Sequence, residues 1–152
     1  MQVSRPAPTE LLAQVRRRRA ELRAAMGVLE QALGSPAGGR DWVGKVRNAL
    51  IQVDADFRMH VEVTEGPRGL YEQVLTDAPR LAFRVRRLTD EHRTLSVTVG
   101  ELLGRSEKAG DTVDTAELRA AGTDLLVRLA RHRQAGADLL YEAYESDVGG
   151  ET

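Results

Sequence analysis

The stretch from Leu70 to Leu103 constrains the fold more than any other. Apolar or small residues fall at Leu70, Val74, Ala78, Leu81, Val85, Leu88, Leu95, Val99 and Leu102. The steps alternate four and three, the spacing that lines one face of an α-helix with a heptad seam. The one vacant register position is filled by His92. A seam this long predicts the spine of a helical bundle. Pro79 lies inside it, and an internal proline removes a backbone bond and crowds the preceding turn. Because the seam keeps its phase across Pro79, the expectation is one kinked helix that ends near Gly104.

Three more helices read from the same spacing. Thr9 is placed to cap the first, where Leu11, Val15, Leu22, Met26, Leu29 and Leu33 follow with a gap at Arg18 or Arg19. Gly34 to Gly39 form a loop, and Asp41 is placed to cap the second helix. That helix carries Val43, Val46, Leu50, Val53 and Phe57, then His60 and Thr64 on the same line. Gly66, Pro67 and Gly69 make a tight connection. After a polar loop from Arg105 to Asp111, a last helix starts near Asp114 with Leu118, Gly122, Leu125, Leu129, His132, Gly136, Leu139 and Ala143 on its seam. Gly122 and Gly136 predict close backbone approach. Short loops join antiparallel neighbours, so the fold expected is all-α, an up-and-down four-helix bundle in a single domain over 1–152, with 1–8 and 147–152 as mobile ends.

Composition narrows the function. The formal net charge of -1 argues against a dedicated nucleic-acid binder. The chain has no cysteine, which excludes a disulfide framework, a thiolate metal site and a cysteine nucleophile. No apolar run approaches the roughly 18 residues of a membrane span, and Met1 to Glu10 lack a signal-peptide layout, so a cytoplasmic location is expected. Lys45 and Lys108 are the only lysines, an arginine bias that suggests a bacterial genome of high GC content.

The histidines are the chemical clue. His60, His92 and His132 are the only three in the chain, and each occupies a core-facing line on a different helix. Neutral imidazole is the commonest transition-metal ligand, and bundle cores are where such sites are built. Carboxylates stand close in sequence: Glu65 after His60, Glu91 beside His92 and Asp138 after His132. Counting at about 1.5 Å per residue along an unbroken third helix puts His92 roughly 30 Å from His60 and about 10 Å from His132. The expectation is therefore isolated core histidines, each bonded to a carboxylate, a carbonyl or water, unless the third helix breaks at Pro79. Arg19, at the gap in the first helix, and Tyr141 are the candidate residues of a small ligand pocket. No phosphate-binding glycine loop and no serine elbow is present.

With four helices placed and Asp90-Glu91-His92-Arg93-Thr94-Leu95 on the third, the chain resembles the hemerythrin-like bundles. The likeness lies in the layout, in the Glu91-His92 pair followed by Leu95, and in the segments His60 to Glu65 and His132 to Asp138. It implies descent from a non-haem di-iron protein. That family carries a histidine on helix one, His-x3-Glu, His-x3-His and His-x4-Asp. Here helix one has none, Thr64 and Ala137 hold the carboxylate positions, and Leu88 and Ser96 flank His92 at four residues. The resemblance thus implies a bundle that has lost the full site. The function expected is non-enzymatic binding of a ligand or protein partner, with no cofactor. The partner would include a second copy of the chain, met through Ile51, Leu126 and Leu140. The alternative is an iron-type redox or oxygen-sensing bundle that uses His92, His132, Glu91 and Asp138, with His60 and Glu65.

Overall fold

The computed structural model describes residues 9–37, 39–107 and 114–145. Four long helices make the bundle: α1 (Thr9–Gly34), α2 (Gly39–Glu65), α4 (Ala82–Glu107) and α5 (Thr115–Leu140). Between α2 and α4 lie a short helix, α3 (Leu70–Asp77), and a 3-10 turn (Pro79–Leu81). The last described element is a π-helical turn, Tyr141–Glu145. Among the described residues there is no strand, and no helix is long and apolar enough to cross a membrane. The ends expected to be mobile, 1–8 and 147–152, lie outside the described residues.

The third helix is broken, not kinked. Ala78 leaves helical geometry at φ -142°, ψ 68°, and Pro79 opens the 3-10 turn. The Ala78 amide still closes on the Val74 carbonyl at 2.7 Å, and the Leu81 amide on the Ala78 carbonyl at 2.9 Å. Proline has no amide to continue the α-helical ladder, so the chain turns here. The reversal is large. An unbroken helix would carry Tyr71 about 30 Å from His92, yet their rings lie 5.7 Å apart. The seam nevertheless predicted burial correctly: Leu70, Val74, Ala78, Leu81, Val85, Leu88, Leu95, Val99 and Leu102 are all buried. Beyond the turn, α4 continues to Glu107, past the expected end at Gly104.

The apolar core divides into two clusters. One combines Leu22 to Leu33 of α1, Trp42 to Phe57 of α2, Leu95 to Leu102 of α4 and Leu118 to Leu129 of α5. The other combines Val15 of α1, Leu70 to Leu81, Val85 and Leu88 of α4, and Leu139 and Ala143 near the end of α5. The first cluster takes the later halves of α1 and α4 and the earlier parts of α2 and α5. Between the clusters the seams are interrupted by Arg19, His60, His92 and His132.

Helix ends and close approaches follow local chemistry. Asp114 caps α5, its carboxylate accepting the Glu117 amide at 3.1 Å. Arg119 of α5 satisfies the open end of α1 by donating to the Leu33 carbonyl at 2.8 Å and the Ser35 carbonyl at 3.1 Å. The turn from α2 to α3 puts Arg68 at φ 59°, and a Cβ on Gly69 would meet three backbone oxygens at 2.8 to 2.9 Å. Gly122 does allow close packing, because a Cβ there would come within 2.9 Å of the Leu33 methyls. Gly136 does not, since a Cβ would meet nothing within 4 Å. Gly136→Ala should therefore stabilise the protein by about 1 kcal/mol through helix propensity. Gly122→Val should cost about 1–3 kcal/mol by overpacking against Leu33. Urea unfolding of the two variants checks the opposite signs.

Candidate metal centre

The break at Pro79 assembles the three histidines. His60 of α2, His92 of α4 and His132 of α5 have ring centroids 5.1 Å (His60–His92), 5.4 Å (His60–His132) and 4.8 Å (His92–His132) apart. The expected separation of roughly 30 Å between His60 and His92 is overturned, because the count of helical rise ran through a chain that doubles back. All three rings are buried, at 6%, 1% and 3% exposure. One nitrogen from each lies within 4.8 Å of the other two. The histidines are thus one cluster rather than isolated core residues.

Two aromatic rings enclose this layer. Phe57, one turn before His60, touches all three imidazoles at 5.7 to 6.1 Å between centroids. Tyr71 stacks on His92 from the other cluster, at 15° between planes. Its hydroxyl lies 3.4 Å from His92 Nε2. Burial raises the Tyr71 pKa above its ordinary value, so the phenol stays protonated and donates.

Carboxylates orient two of the rings. His92 Nδ1–H donates to Glu65 at 2.6 Å, and His132 Nδ1–H donates to Glu91 at 2.7 Å. With Nδ1 protonated, each neutral ring turns the lone pair of Nε2 inward. The turn at Gly66–Gly69 matters here, because it sets Glu65 and Tyr71 on opposite nitrogens of the same His92 ring. His60 has no carboxylate. Its Nε2 lies 3.3 Å from His132 Nε2, while its buried Nδ1 has no hydrogen-bond partner. Thr64 donates to the His60 carbonyl at 2.7 Å and leaves the ring alone.

Burial keeps the imidazoles neutral. Desolvation, then the neighbouring His92 and His132, hold the His60 pKa well below its ordinary value. Desolvation and His132 lower that of His92 to about 3. Glu65 is one-third exposed, and its pull on the proton does not outweigh the burial. His132 is also lowered by burial, with Glu91 opposing.

The other expected site residues divide. Glu91 is sequence neighbour to His92 but serves His132 across the α4–α5 interface. Asp138 is exposed and accepts from Gln134 at 3.0 Å, about 120° around α5 from His132. Arg19 lines a cleft with Arg16, Ala20, Arg23, Ala24 and Arg133. Arg19 donates to the Arg133 carbonyl at 3.4 Å, whereas Tyr141 is 56% exposed. Of the residues expected at a dimer face, Ile51 is half exposed, while Leu126 and Leu140 pack against the core clusters. Phe57 is the functional neighbour that spacing did not single out. It lies three residues before His60 on the same helix face, which is the signal that finds it.

This donor set does not fit a di-iron centre. Among the described residues three histidines converge, α1 contributes no ligand, and both nearby carboxylates are committed to Nδ1 atoms. No family model, curated protein or solved structure matches the chain, so the site is read from its own geometry.

The neutral rings give the metal-free protein a definite pH response. The unfolded chain binds protons on histidine below about pH 6.5, and the folded one resists down to about pH 3 at His92, so folding releases protons in that window. Stability contributed by neutral His92 is full above about pH 6.5 and is lost as the pH falls. By about pH 4.5 its share of the loss is about 2–3 kcal/mol. Urea unfolding of metal-free protein should show this slope, and His92→Gln should flatten it.

Proposed function

We propose that this chain is a metal-binding helical bundle that holds one divalent transition-metal ion on His60, His92 and His132. The observation that carries the reading is the meeting of two inward Nε2 atoms at 3.3 Å in a dry core. Two ligand nitrogens at about 2.1 Å from a tetrahedral ion stand ~3.4 Å apart, which is this spacing. The third nitrogen lies within 4.8 Å of the other two, so bringing it to the same distance takes a movement of up to about 1.4 Å. In the metal-free protein a proton on His60 Nε2 bridges the pair. A metal ion takes its place and also uses the lone pair of His92.

The supporting groups are those a metal site uses. Glu65 and Glu91 fix the tautomers of two ligands and make them more basic, as outer carboxylates do in zinc sites. Their two negative charges also balance a dication. A cleft of 360 Å³ lined by Glu91, Thr94, Leu95, Arg128, Arg131 and His132 gives a route from solvent. Three imidazoles suit zinc first. Ferrous iron favours a carboxylate in its shell, which here would require Glu65 or Glu91 to leave its Nδ1.

Metal analysis of untagged protein and titration of the metal-free chain with Zn²⁺, Co²⁺ and, under nitrogen, Fe²⁺ test the proposal. Binding of one ion per chain is expected, with visible d–d absorption for the cobalt form. His92→Ala and His132→Ala should abolish it. Glu65→Gln and Glu91→Gln should weaken it by about 10–100-fold, measured by competition with a chromophoric chelator. Failure of all three ions to bind the folded protein would overturn the reading, and the cluster would then be a hydrogen-bonded core layer.

A further inference from the structure

A second site lies beside the histidine layer. Arg16, Arg19 and Arg23 occupy one face of α1 at three- and four-residue steps, and Arg133 of α5 meets them across a cleft of 560 Å³. Ala20 and Ala24 complete the lining, and no carboxylate takes part. Several other arginines pair with acids, as Arg18 does with Glu21, Arg58 with Asp54, Arg93 with Asp90 and Arg128 with Asp124. Among the described residues Arg19, Arg23 and Arg133 have no acid within 4.0 Å. The Nε atom of Arg133 is buried with no hydrogen-bond partner.

This convergence is unfavourable without an anion. Burial and then the charge of Arg16 disfavour protonated Arg19. The chain as a whole carries a net charge of only -1, so the cluster is a local concentration of positive charge rather than a share of a basic surface. The bond from Arg19 to the Arg133 carbonyl ties one guanidinium to the cleft wall at 3.4 Å. A fixed fork is less costly to order around a ligand than a free side chain.

We propose that this cleft binds the phosphoryl group of a small soluble molecule, a phosphate monoester or inorganic phosphate, through Arg19, Arg23 and Arg133. A guanidinium presents a planar pair of donors that matches two phosphate oxygens. Three such cations exceed what one carboxylate neutralises, whereas a phosphate dianion with its several acceptor oxygens answers them. The site is independent of the metal proposal and is tested on protein stripped of metal and then freed of chelator.

The experiment is calorimetric titration of the full chain with inorganic phosphate at low ionic strength. Saturable binding with a Kd below about 1 mM is expected. Arg19→Gln and Arg133→Gln should each weaken it by about tenfold, as loss of a charge-assisted hydrogen bond does. Arg23→Gln, at an exposed position, should weaken it without disturbing the fold and serves if the other variants unfold. Arg93→Gln should leave it unchanged, and acetate should not compete. Absence of saturable phosphate binding, equal affinity in folded Arg19→Gln/Arg133→Gln protein, or equal competition by acetate would overturn the proposal. Sedimentation with phosphatidic acid vesicles separates the sources. Binding to vesicles without binding of soluble phosphate would overturn the small-molecule site in favour of a lipid headgroup.

Discussion

Three imidazoles share the middle of an apolar core, and that forces the rest of the arrangement. A charged imidazolium is costly away from water, and three together are more so, so the rings must stay neutral. Neutral rings still need partners for their polar atoms. Glu65 and Glu91 supply acceptors from the rim, where their carboxylates keep contact with water, and Tyr71 supplies a donor. The polar layer divides the core into the two apolar clusters and places Phe57 and Tyr71 on either side of it. The short turn between α2 and α3 is built tightly because Glu65 before it and Tyr71 after it must both reach His92.

The polar layer extends beyond the histidines. Each long helix gives up an apolar seam position at this level, and on α1 the position belongs to Arg19. Arg19 and Arg133 both act electrostatically on His60 and disfavour its protonation. His60 is the ring without a carboxylate, and it is the ring nearest in effect to the arginines. The two outer environments of the layer are thus of opposite sign: carboxylates behind His92 and His132, guanidinium groups toward His60.

The long helices were legible in the sequence because apolar residues recur at three- and four-residue steps in all of them. The bundle class followed from that alone. The reversal at Pro79 was not legible, and the reason is physical. Both arms of a chain that turns back onto one core need an apolar stripe facing it, so Leu70 to Leu88 keep a continuous heptad phase through a break. Phase reports which face is buried, not whether the backbone is continuous. The distance between His60 and His92 was misjudged for this reason. The carboxylate partners show a second limit. Glu65 was readable at the end of α2, but Glu91 serves the neighbouring helix, and Asp138, six residues past His132, lies about 120° further around α5 and is exposed. Which helix a side chain faces depends on rotation about the axis, which the spacing within one helix does not set.

The bond between His60 and His132 joins residues 72 positions apart in the chain. One of the three donors belongs to α2, one to α4 and the last to the latter half of α5. During synthesis the chain can form α1, α2 and the turn at Pro79 while the site still lacks a ligand. Closing so long a loop costs entropy that only the docking of α5 repays. An ion captured by this set therefore acts as a clasp on an assembled bundle rather than as a seed for its folding, and its release would first be felt at the carboxyl-terminal helix.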